Sequence, residues 1–235
     1  MISVDKAVRH VIGVGAPVLL LDTCALLDLM RDPAREKFSA DHVCAAHNLL
    51  ARAEARPPGL SILLAQQVEV ELLSHIDEIE RETERAIQRF ESGITRTFGV
   101  MNAIGVAPAL PLPALSPLGF PARARAVVQR FVTAAHVVAE QDVHVMRGWD
   151  RVRKSVAPAT RAKQSVKDCI VIETYFDIAR ALRTAGFDGA VLFFTTNTAD
   201  YADGARPRLH SQLEPDFAAR TMSFETGFLA VQYAI

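Results

Sequence analysis

With 235 residues, 50% of them hydrophobic and 23% charged, the chain is long enough to bury a substantial core in one large domain, or in one domain carrying an insertion. A formal net charge of −1 excludes a polycation that would hold nucleic acid by bulk charge, so any such affinity must come from a local patch. The opening MISVDKAVRH lacks the basic start and apolar run of a secretory leader, and no stretch reaches the roughly 18 uncharged apolar residues of a membrane span; a cytoplasmic protein with no membrane partner is expected.

Residues 18–22 predict a buried strand, and 23–30 a short helix stopped by Asp32-Pro33. Residues 40–55 have helical spacing at Val43, Ala46, Leu49 and Leu50, and RPPG at 56–59 ends that helix. LSILLA, 60–65, is a second strand. A long, increasingly charged helical pattern follows from Gln66 to about Phe98. The Pro-rich stretch 105–121 cannot be a helix interior. Residues 122–154 predict one or two helices, and Val166 to Ala185 another, closed by Gly186. GAVLFFTT, 189–196, and TMSFET, 221–226, complete four strands before a short terminal helix. This alternation predicts an α/β fold with a central parallel sheet flanked by helices. The expected core covers about 16–75 and 160–235 of a single domain, with a helical and Pro-rich insertion at about 78–160. Cys24, Cys44 and Cys169 have no metal-ligand spacing and read as reduced core thiols.

Ligands of an open parallel sheet sit beyond the carboxyl ends of its strands. Asp22 ends the first strand, Glu71 lies just past the second, Asp168 opens the helix leading to the third, and Asn197 and Asp200 follow the third. Each also has a plain structural reading. Asp22 could cap a helix, Asp168 could belong to a capping box with Ser165, and Asn197 and Asp200 are ordinary turn residues. Four caps need not converge on one edge, however, and clustered carboxylates keep their charge only with a cation between them. Oxygen ligands select a hard ion, Mg²⁺ or Mn²⁺, which suits phosphate-ester hydrolysis.

LLLDTCALLDL, QQVEVELL, SVKDCIVIETYFDIA and FFTTNTADY, in that order, resemble the PIN domain, with relatives among VapC-type toxin ribonucleases. The resemblance implies a three-layer, Rossmann-like fold and a metal-dependent nuclease, most simply an endoribonuclease. Asp22, Glu71, Asp168 and Asp200 would hold Mg²⁺ or Mn²⁺ with Asn197 assisting. It selects Glu71 over Glu69, and it places Thr196 beside the scissile phosphate. Many members carry Asp where this chain has Asn197, so Asp200 would supply the charge if 198–202 turns helically. RNA is the implied substrate; an antitoxin protein and a second copy of the chain are the implied partners. A PIN-like scaffold that binds RNA or protein and cuts poorly is the rival reading.

Between His144 and Lys167 stand seven basic residues against Asp150 alone, a local net of +6. Such a run is either a solvated helix face or a counterweight for RNA approaching the acids. Lys163 and Lys167, next to Asp168, are the expected RNA contacts. Glu173 lies about 140° from Asp168 on a helix and is expected to form a salt bridge or a supporting contact. A dinucleotide fold is excluded because GVGAP, 13–17, precedes the first strand instead of following it. A haloacid-dehalogenase-type phosphatase is excluded because Cys24 stands where a second Asp is needed.

Overall fold

The computed structural model describes residues 1–36, 38–106, 114–159, 165–203 and 208–235. Its elements run α1 (Val4–Val14), β1 (Val18–Leu21), α2 (Thr23–Asp28), α3 (Ala40–Glu54), β2 (Ser61–Ala65), α4 (Gln66–Ala103), α5 (Phe120–Ala134), β3 (His136–Val138), α6 (Asp142–Lys154), α7 (Val166–Thr184) and β4 (Val191–Phe194). Then follow α8 (Thr198–Tyr201), a hairpin of β5 (Ala202–Asp203) and β6 (Arg208–Leu209), α9 (Glu214–Ala218), β7 (Met222–Glu225) and α10 (Phe228–Ala234). Among the described residues the main sheet is five-stranded and parallel, in the order β3-β2-β1-β4-β7.

The strand sequences follow from this order. β1 (VLLL) and β4 (VLFF) lie inside the sheet with helices on both faces, so every position is buried and the run is apolar without alternation. The edge strands β3 and β7 are only partly buried and include His136, Ser223 and Glu225. α1 and α7 cover one face, with α6 behind α7, and α3, α5 and α10 pack together on the other. α4 buries Val68, Leu72, Ile76, Ile79, Thr83, Ala86 and Ile87, a stripe at three- and four-residue steps, and leaves its charged side to solvent. No described helix is long and apolar enough to cross a membrane.

Two expectations are corrected, and one element is new. The stretch 122–154 holds two helices, but β3 lies between them and pairs with β2, so part of the expected insertion is sheet edge. α1 was not foreseen: Ser3 accepts from the Lys6 amide at 3.3 Å at its start, Gly15 (φ 70°) ends it, and Val4, Ala7, Val8 and Val11 bury one stripe. Cys44 is exposed, not a core thiol, whereas Cys169 is buried.

The order of the strands places a topological switch at the centre. From β1 the chain moves outward to β2 and β3, then returns to the other side of β1 with β4 and β7. The crevice where the order reverses lies beyond the carboxyl ends of β1 and β4.

Candidate metal centre and active site

Asp22 stands at that crevice. Its backbone N–H donates to the Phe194 carbonyl at 3.0 Å, so the residue is still held by the sheet. Its Oδ1 accepts from the Thr23 amide at 2.8 Å, which makes it the N-cap of α2. Its Oδ2 accepts from Thr195 Oγ1 at 2.5 Å. The cap reading and the chemical reading are therefore compatible: one oxygen caps, and the other is aimed by a hydroxyl from β4's end. Asp22 is 2% exposed. Burial pushes its carboxyl up to about 6, with the charges of Glu71 and Asp200 adding to the rise and the Thr195 and Thr23 hydrogen bonds opposing it.

Thr195 was not singled out from sequence. It is fully buried, and its hydroxyl also accepts from the Asn197 amide at 3.0 Å, tying the loop after β4 to Asp22. Thr196, the expected phosphate contact, is half-buried one residue further on. FFTT offers two adjacent hydroxyls, and only the register of β4 decides which one meets Asp22.

Glu71 occupies the second turn of α4 on the same rim. Thr23 Oγ1 donates to its Oε2 at 3.2 Å, Gln67 Nε2 donates to Oε1 at 3.3 Å, and Lys167 Nζ stands 3.8 Å from Oε1. Glu71, not Glu69, acts on Asp22 electrostatically. Lys167 is largely exposed at the rim; Lys163, its expected companion, lies outside the described residues.

Asp168 sits in the first turn of α7, half-buried, and its backbone carbonyl accepts from Tyr201 Oη at 3.1 Å. Its charge, with that of Asp22, reaches both the Cys24 thiol and the Tyr201 phenol; burial pushes the thiol up to about 12 and the phenol well above its ordinary value, and both acids add to the rise. α8 supplies the helical turn that Asp200 requires: Asn197 Nδ2 donates to Asp200 Oδ2 at 2.7 Å, and Asp200 is buried. The structure thus brings Asp22, Glu71, Asp168, Asn197 and Asp200 to one rim from separate elements.

Beneath them, Tyr175 of α7 joins the strand ends. Its hydroxyl donates to the Leu21 carbonyl and accepts from the Ala65 amide at 3.1 Å. The β1–β2 pairing runs only from Val18↔Ser61 to Leu20↔Leu63, so this phenol satisfies buried backbone groups where the strands part.

Ion pairs take up much of the basic run. Arg151 is buried, bound to Glu173 Oε1 at 2.5 Å and Asp216 Oδ2 at 2.6 Å. Arg153 and Lys154 pair with Asp150, and Arg147 stands 3.8 Å from Asp177. Glu173 is therefore a salt-bridge residue of the α6–α7 interface, as its helical angle suggested.

The carboxylate set fits a hard divalent cation by its donor chemistry. Burial above all, with the charges of Glu71 and Asp200 adding to it, holds the Asp22 carboxyl up, and a cation would favour its ionised form. Among the described residues no three acidic, His or Cys side chains meet at ligand spacing as they stand. Asp22 and Glu71 are drawn instead to Thr195, Thr23, Gln67 and Lys167.

A family model described as a PIN domain matches residues 19–201, well over half of the chain. No curated protein and no solved structure matches it.

Proposed function

The chain belongs to the PIN-domain family, whose members are generally nucleases, and from that premise we propose that it hydrolyses the phosphodiester bonds of RNA internally, using Mg²⁺ or Mn²⁺. The observation that carries this reading is the buried Asp22, fixed through both carboxylate oxygens and crowded by Glu71 and Asp200 at the switch point of the sheet. Asp22, Glu71, Asp168 and Asp200 would hold the ion, with Asn197 beside them. A cation held there supplies an activated water and charge stabilisation of the leaving 3′ oxygen.

The protein's own groups do the positioning. Thr195 and the Thr23 amide orient the Asp22 carboxylate, and Thr23 Oγ1 and Gln67 orient Glu71. The Asn197 amide aligns Asp200. Thr196 would meet the scissile phosphate, and Lys167 at the rim would meet the approaching backbone. Purified protein and its Asp22→Asn variant, incubated with a broad panel of structured and single-stranded RNAs, provide the test. Cleavage by the unsubstituted protein that EDTA and Asp22→Asn both abolish is expected. No metal-dependent cleavage across the panel would sink the nuclease reading and favour the binding-scaffold alternative.

A further inference from the structure

Away from the carboxylates, the outer half of α4 carries an organised positive surface. Thr83 Oγ1 donates to the Met30 carbonyl at 2.7 Å and pins the middle of α4 to the turn after α2. Beside this contact runs a trough whose adjoining stretches measure about 420, 530 and 550 Å³. Arg89 lines all three stretches, and Arg85 and Arg96 line two each; Arg31 and Arg35 form the facing wall. Five arginines stand against two lining carboxylates, Asp32 and Glu82, a net of +3.

Arg85, Arg89 and Arg96 fall within about 40° of one another around the helix, at steps of about 6 and about 10 Å along its axis. All three are exposed, and none makes an ion pair among the described residues. Like charges at i and i+4 destabilise a helix, so the Arg85–Arg89 pair carries a cost that no ion pair among the described residues offsets. On the facing wall, Arg35 Nη2 donates to the Asp28 carbonyl at 2.6 Å, and Asp28 Oδ1 stands 3.9 Å from Nη1. Nη1 is nonetheless buried with no hydrogen-bond partner among the described residues. Phe90, 47% exposed, lines the same trough. Spaced guanidinium groups beside an exposed aromatic ring suit a strand with both phosphates and stackable bases.

We propose that this trough binds the sugar-phosphate backbone of single-stranded RNA and delivers it along α4 to the carboxylate rim, where Glu71 lies about 21 Å before Arg85 on the helix axis. The identity of the strand as substrate rests on the nuclease reading; its binding here does not. The test is fluorescence anisotropy of a labelled single-stranded oligoribonucleotide in EDTA, with the full chain. Arg85→Glu/Arg89→Glu should weaken binding roughly tenfold or more, and Arg85→Gln/Arg89→Gln should lower the slope of log affinity against log salt by about 1.4. Circular dichroism of both variants should retain the wild-type helix signal. Unchanged RNA affinity in both folded variants would overturn the proposal, as would binding of poly-glutamate, instead of RNA, that the same substitutions remove. Because binding is read under chelation, a wild type that binds through these arginines but never cleaves would sink only the nuclease reading.

Discussion

At the scale of single residues, Asp22 decides most. Its carboxyl, ordinarily at 3.8, is pushed up to about 6 in the fold, chiefly by burial. Between these values the folded state keeps a proton that the unfolded chain has released. The metal-free protein should therefore lose up to about 3 kcal/mol of stability from this group as pH rises from about 4 to above 6. Saturating Mn²⁺ should flatten that loss, and denaturant titrations at several pH values with and without the ion would measure it. Thr195→Val keeps the volume but removes the hydroxyl on Asp22 Oδ2, so metal-dependent activity should fall about 10- to 100-fold with little change in fold, as kinetics at saturating metal would reveal. The placement of the acids at strand ends and helix starts was legible because each lies just after an apolar run or near the start of a helical one. Thr195 was not, since one residue of register separates it from Thr196.

Between elements, two contacts hold the rim in place. Tyr175→Phe removes the hydroxyl shared by the Leu21 carbonyl and the Ala65 amide, leaving both buried groups short of a partner. A loss of about 1–3 kcal/mol in chemical unfolding is expected. Gly148 lets α6 approach α7: a Cβ there would stand 2.9 Å from Ile170 Cγ1 and 3.2 Å from the Ile170 backbone nitrogen. Gly148→Ala should accordingly lower stability by about 1–3 kcal/mol despite alanine's better helix propensity, a reversal that thermal melting would detect. Long periodic elements such as α4 and α7 were legible from their apolar spacing. β3 was not, because three residues, His136–Val138, are too few for a period to show and gain their strand identity only by pairing with β2. The pairing of Arg151 within the basic run was not legible for a related reason: its partners Glu173 and Asp216 lie 22 and 65 residues away.

Across the whole molecule, the sheet order β3-β2-β1-β4-β7 explains why distant acids meet. The reversal between β1 and β4 opens one crevice, and α2, α4, α7 and α8 all begin beside it with Asp22, Glu71, Asp168 and Asp200 near their first turns. The same α4 that starts at the rim carries the arginine row in its outer half, about 21 Å from Glu71 to Arg85 along the helix axis. The central proposal is that Asp22, Glu71, Asp168 and Asp200 would hold a divalent cation, which would supply an activated water for attack on phosphorus with the 3′ oxygen leaving. Mapping the ends of RNA cleaved in Mn²⁺ tests it most directly. The account predicts 5′-phosphate and 3′-hydroxyl ends, absent with EDTA or with Asp22→Asn; 2′,3′-cyclic phosphate ends, or cleavage that persists in the Asp22→Asn protein, would contradict it.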